Sequence, residues 1–287
     1  MPMDFTKVKM LLIAVFLCLN VFLFIQWRVL EANVSVYAEP LSDQFANAQS
    51  ALANSNVRVQ AVLPTNIIPL SLVSVRADAI PVSTVASSVF SLKPSQVIPW
   101  IVSRNVIDGP FGTIQAVHPG RFFVQYHIPA LPELADKHGQ TSGIRSWVAK
   151  HVYNGNAYSF LGWTATKGDR TAVFNQEVSG YPVFSAPLNV HLNGRFPVGY
   201  DQTLLTVVTV KPPKPVISPV SALLSLAQYL QKTKINTPNE ISDVRLGYYS
   251  AIVTSVGWYL SPVWRVSTIR GVFFVNAFTG EVEVAPA

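Results

Sequence analysis

Residues 171–210 read TAVFNQEVSGYPVFSAPLNVHLNGRFPVGYDQTLLTVVTV, and the punctuation of this stretch decides the fold class. Branched and aromatic residues recur in short runs, parted first by Ser179-Gly180 and then by Asn193-Gly194. Asn-Gly between such runs is a strong hairpin signal, because both residues tolerate the positive φ that a tight primed turn requires. The pattern predicts a meander of Thr171–Val178, Tyr181–Phe184, Leu188–Leu192 and Arg195–Tyr200, extended by Leu204–Val210. Lys211–Pro219 then holds four prolines and reads as a stiff linker. Ser218 and Pro219 form an N-cap and first-turn proline for a helix with Val220, Leu223, Leu224, Ala227 and Leu230 inward. Leu246–Val253, Trp264–Ile269 and Val272–Ala277 complete a mainly antiparallel sheet, turning at Gly271 and at Thr279-Gly280.

Upstream, Ile144, Trp147, Val148 and His151 recur at helical spacing and predict a helix over 142–153. Ile114–Ile128 reads as a hairpin around His118-Pro119-Gly120. Val57–Val75, broken by Pro64 and Pro69, reads as short extended segments. Ser42, Asp43 and Gln44 open a helix with Phe45, Ala48 and Leu52 on one face, ended by Asn54–Asn56. The fold class is α+β, with two small subdomains at 28–140 and 141–287, each a mainly antiparallel curved sheet with packed helices.

Met10–Trp27, MLLIAVFLCLNVFLFIQW, is uncharged over eighteen residues, close to the ~20 needed to cross hydrocarbon as a helix. A cleaved signal peptide has a shorter apolar region followed closely by small residues, whereas Gln26, Trp27, Arg28 and Glu31 follow here. The segment is therefore predicted to be a retained transmembrane helix. Lys7 and Lys9 before the span predict that 1–9 is cytoplasmic and the large C-terminal region extracellular. Asn20 lies mid-span on the face shared by Ile13, Phe16, Leu23 and Trp27. An amide in hydrocarbon calls for a hydrogen-bond partner, either a neighbouring helix or a local carbonyl. These five residues are the candidate transmembrane partner contact.

Hydrophobic residues are 49% and charged residues 13% of the 287, which excludes disorder over most of the chain. The net charge is +6, but the basic residues are scattered singly, so nucleic acid is not an expected partner. From Val36 onward 18 Lys and Arg stand against 13 Asp and Glu, a surplus suited to weak contact with an anionic wall polymer. A single cysteine, Cys18, excludes a disulfide framework. His118, His127, His138, His151 and His191 lack metal-ligand spacing, and phosphate-loop, dinucleotide and serine-nucleophile motifs are absent. Glu177, Asp201, Asp243 and Glu281 are candidates for paired-carboxylate hydrolysis only by being acidic. Trp258, Tyr259 and Trp264 bracket Ser261-Pro262, where they either line a groove or cover the core. No enzyme, metal or cofactor is predicted.

Three segments carry a family resemblance: MDFTKVKMLLIAVFLCLNVFLF from Met3, Val183–Leu205 with LNVHLNGRFPVGYDQTLL, and LGYYSAIVTSVGWYLSPVWRVSTIRGVFFVNAFTGEV from Leu246. Together they resemble YycI, also called WalI, a family of single-pass membrane proteins of low-GC Gram-positive bacteria. The resemblance implies a non-enzymatic accessory regulator of the cell-wall sensor histidine kinase WalK (YycG), working with the related protein YycH. It implies no catalytic residues and no cofactor. Two other readings stand beside it: an extracellular wall-polymer or ligand-binding sensor module, and a cell-surface hydrolase.

Overall fold

The computed structural model describes residues 5–36, 41–54, 56–127, 140–166, 169–233, 239–252, 254, 257–269 and 271–285. Its contacts divide the chain into Met1–Asn47 and Ala48–Ala287. The first unit contains α1, one helix over Phe5–Val36, and the start of α2, Leu41–Ala53, with Asp43 in its first turn.

The second unit begins with the last turns of α2, where Ala48 and Leu52 are buried as their predicted shared face requires. There follow β1 (Val57–Val59), β2 (Val73–Arg76), α3 (Val82–Val89), α4 (Pro94–Val97), β3 (Ile101–Ser103), β4 (Val106–Gly109), β5 (Gly112–His118) and β6 (Arg121–Tyr126). After α5 (Gln140–His151) come β7 (Tyr158–Thr166), β8 (Asp169–Val178), β9 (Tyr181–Asn193), β10 (Phe196–Thr203) and β11 (Thr206–Val210). The chain closes with α6 (Pro219–Lys232), β12 (Asn239–Tyr249), β13 (Trp258–Thr268), β14 (Gly271–Asn276) and β15 (Val282–Val284).

The turns that the sequence marks do their predicted work. Ser179 and Gly180 both take positive φ, 53° and 78°, and join β8 to β9. Gly194, at φ 60°, opens the turn from β9 to β10, with Asn193 as the last residue of β9. The His118-Pro119-Gly120 hairpin pairs His118 with Arg121. Ser218 caps α6 by accepting a hydrogen bond from the Ser221 N–H at 3.0 Å; of the residues expected to face inward, Val220, Leu223, Ala227 and Leu230 are buried, whereas Leu224 is half-buried and Leu226 is buried in addition.

The main strand path runs β11-β2-β13-β12-β9-β10-β6-β5-β4-β3, with β14–β15, β7–β8 and β1 attached beside it. Pairing is antiparallel except where β12 meets β9 and β1. Pairing continues across the expected boundary at 140, because β10 pairs with β6 over 121–125. One apolar cluster likewise joins Val85 and Val89 of α3, Ile144 and Trp147 of α5, Phe122 of β6 and Leu188 of β9. The predicted break between Phe184 and Leu188 is also absent: β9 is continuous, but its register against β8 shifts so that Asn175 faces Pro187 while Gln176 faces Val183. Two buried amides make this irregularity tolerable. Asn175 donates to the Val183 carbonyl at 2.9 Å. Gln176 donates to Leu205 O at 2.7 Å and accepts from Leu205 N at 2.8 Å, standing in for a missing strand partner.

Beneath α5, Tyr126, Tyr158 and Tyr200 are enclosed in the same apolar cluster. The Tyr158 hydroxyl donates to Thr203 O at 2.6 Å and that of Tyr126 to His151 O at 3.2 Å. Burial raises all three phenols above their ordinary value of 10.0, because a phenolate would lose its hydration. Since the folded values exceed the unfolded ones, stability is fully present below pH about 10 and falls as pH rises, the unfolded chain losing protons first. Alkaline titration should therefore show these phenols ionising together with unfolding. Their reversible ionisation with circular dichroism unchanged would show that they are not enclosed.

Candidate interaction surfaces

Helix α1 carries Ile13, Phe16, Asn20 and Leu23 at the three- and four-residue spacing of neighbours on one face, and all four are exposed. Trp27 lies on the same helix, with its side chain outside those described. The Asn20 Nδ2 donates to the Phe16 carbonyl at 2.8 Å, the local partner that one reading of the sequence allowed. This bond uses one of the four hydrogen bonds that an asparagine side chain can make. Among the described residues no helix is long and apolar enough to cross a membrane. Within Met10–Trp27, the side chains at 11, 26 and 27 are outside the described set.

In the second unit the sheet gathers polar side chains that sequence distance conceals. Register places Thr171 opposite His191 and Asp201 opposite Asn189. Asp201 accepts from Asn189 Nδ2 at 2.8 Å and meets His191 Nε2 at 2.8 Å, while Thr171 Oγ1 lies 3.3 Å from His191 Nδ1. Farther along the strand order, Thr113 Oγ1 donates to Asp108 at 2.9 Å and stands 3.0 Å from His127 Nε2. Between the two groups, Asp201 neighbours Phe123 and Gln125 neighbours Thr113; Phe123 is exposed, with the Arg121 guanidinium 5.5 Å from its ring centroid. The hydroxyl–imidazole–carboxylate order of Thr171, His191 and Asp201 has the form of a nucleophile relay. However, the His191 side chain is 49% exposed, so water screens charge that such chemistry needs the protein to hold. These groups order an open, polar sheet face.

The four acidic candidates are not gathered into a pair. Asp201 serves His191, and Asp243 binds Arg245 at 3.3 Å and Arg265 at 3.4 Å. Glu177 and Glu281 are exposed, on β8 and in the turn before β15. Among the described residues no three His, Cys, Asp or Glu side chains are grouped to hold a metal ion. His138 lies outside the described residues. His151 packs against Trp147 on α5, where burial and then Lys150 lower its pKa. Of the three aromatics around Ser261-Pro262, Trp264 is fully buried, whereas Trp258 and Tyr259 line a cavity.

Two further features were not read from the sequence. The end strand β11 is exposed at all five residues, an edge suited to pairing with another strand. The signal was present in Thr206–Val210 followed by Lys211-Pro212-Pro213, a β-rich run stopped by prolines that cannot continue a ladder. A cavity of about 360 Å³ opens between the β5–β6 turn and the start of α3, lined by Ile80, Phe122, Arg104 and His118 among others.

Comparison with known proteins gives the chain a family. The profile described as "YycI protein" matches residues 38–278, most of the chain. The chain belongs to the YycI family. The YycI match runs from beyond the end of α1 through β14, so it includes Val183–Leu205 and all but the last four residues of the segment from Leu246, and excludes α1. No curated protein matches the chain. A solved structure of an uncharacterized protein from Eubacterium rectale aligns over 84% of this chain and 99% of its own, with a TM-score of 0.51 at 11% identity. That likeness is one of fold. The C-terminal domain of Bacillus megaterium YpeB aligns over 74% of this chain and 100% of its own, with a TM-score of 0.36 at 13% identity.

Proposed function

We propose that the chain is a membrane-anchored, non-enzymatic accessory regulator of the WalK (YycG) sensor histidine kinase, with its second unit outside the cell and paired with a YycH protein. The observation that carries this reading is the YycI family match over residues 38–278. The exposed apolar face of α1 supports an anchor: Leu12, Val15, Phe16, Leu19 and Phe22 are each more than half exposed, which costs too much in water to be left uncovered. The 32 residues of α1 rise about 48 Å and contain the uncharged stretch Met10–Trp27 on which the anchor reading rests. Regulation would follow from differential contact, in which α1 and the second unit bind one kinase state better than the other and so move the balance between them.

The test is co-purification of the kinase with the intact chain and with a chain whose residues 10–27 are replaced by an unrelated apolar span. Capture and kinase output should both fall with the replacement, while the second unit keeps its thermal transition. Unchanged capture and unchanged regulation would remove the helix-to-helix mechanism.

A further inference from the structure

Segments distant in sequence meet beside the β5–β6 hairpin. The Gly120 N–H donates to Asp78 O at 2.9 Å, and Gly120 O accepts from the Leu204 N–H at 2.7 Å, so the hairpin turn is tied to the chain before α3. Glycine is required there, because φ is 70° and a Cβ would collide with the Leu204 carbonyl oxygen. The Ala116 N–H donates to Asn105 O at 2.9 Å, which fixes the turn between β3 and β4. These ties position the walls of the cavity of about 360 Å³, a volume within the usual range of small-molecule sites.

The lining is apolar inside and basic at the mouth. Ala116 and Phe122 are cross-strand partners, so they leave the sheet on one face, and Ile80 joins them in the wall. Phe122 is buried, whereas Arg104 and His118 are exposed. No aspartate or glutamate lines the cavity. Arg76 and Arg265 hold the carboxylates of Asp78 and Asp243. By contrast, among the described residues Arg104 meets no carboxylate and the His118 imidazole has no hydrogen-bond partner. Pro81, the N-cap of α3, is also in the wall, and no side chain caps that helix start, so its partial positive charge adds to that of Arg104.

We propose that this cavity binds a small organic anion, a carboxylate on a compact apolar body. The carboxylate accepts from the Arg104 guanidinium, whose forked donors match its two oxygens, and from His118. The apolar body is covered by Ile80, Ala116 and Phe122, which removes its surface from water. An inorganic anion lacks the second of these gains, and an uncharged molecule lacks the first. This inference goes beyond the regulatory reading, and its failure would leave that reading standing.

The purified full chain in detergent is titrated calorimetrically with benzoate, with its uncharged counterpart benzamide and with inorganic phosphate, each against a detergent blank. The His118 imidazole resonances, assigned with His118→Asn, report where binding occurs. Benzoate should bind and shift them, and benzamide and phosphate should each bind at least about threefold more weakly. Arg104→Gln, at an exposed position, should weaken benzoate about three- to tenfold and leave benzamide unchanged. Ala116→Leu fills the apolar part and should remove the response to both organic probes, its thermal transition checking that the second unit is folded. If that variant does not fold, Arg104→Gln decides by itself. Equal or tighter binding of either comparison probe, no loss in Arg104→Gln, or no response to benzoate at tens of millimolar would each overturn the proposal.

Discussion

Trp264→Ala should leave the second unit largely unfolded at physiological temperature. Trp264 is fully buried on β13, facing Leu246 of β12 and Val275 of β14. Its Nε1 donates to the Ile217 carbonyl at 3.0 Å, which ties the linker before α6 to the sheet. Truncation of a buried tryptophan costs about 3–5 kcal/mol in lost burial and cavity, and the orphaned carbonyl adds roughly 1–3 kcal/mol. Total stabilities are only ~5–15 kcal/mol, so the sum removes a large share of the margin. Trp264→Phe keeps most of the volume and loses the hydrogen bond, and should fall between the variant and the parent. Tyr259→Ala, on the same strand but 48% exposed, should change stability by only about 0.5 kcal/mol. Urea unfolding of the three variants checks the order; equal losses at 264 and 259 would show that the sheet is not built around Trp264.

Asn20→Leu should impair kinase regulation without changing the thermal transition of the second unit. The Phe16 carbonyl takes one donor of the Asn20 amide, which leaves its other donor and its carbonyl oxygen to a neighbouring helix. Interhelical hydrogen bonds in membranes contribute about 0.6 to 1.7 kcal/mol, so their loss weakens association roughly three- to seventeen-fold. Leucine is better tolerated in hydrocarbon than asparagine, so insertion should be kept or improved. Capture and output are measured beside those of the parent chain. Wild-type values for both would mean that the local bond satisfies the amide and that recognition resides in the second unit.

Elements with strong local signals were legible from the residues alone. The Ser179-Gly180 turn, the Pro-Gly hairpin, the Ser218 cap and the inward faces of α5 and α6 each follow from backbone preference or period, properties confined to a few neighbouring residues. Less was legible in 56–140, where β3 and β4 are only three and four residues long, too short for periodicity to register. β7 was missed because Tyr158–Thr166 mixes aromatic, small and polar residues without alternation.

The candidate sites depended on register. Nothing in the sequence joins Asp201 to His191 and Thr171, because cross-strand neighbours are set by how distant strands pair. What the sequence by itself determined is the α+β class, the order of most later strands, the apolar N-terminal segment and the family, since local backbone chemistry and residue order suffice for these. What only the tertiary structure decided is the pairing of β6 with β10 across residue 140 and the change of partner along β13, which pairs with β2 over Trp258–Leu260 and with β14 over Val263–Thr268. These rest on long-range contacts whose favourable energy appears only when the chain closes on itself.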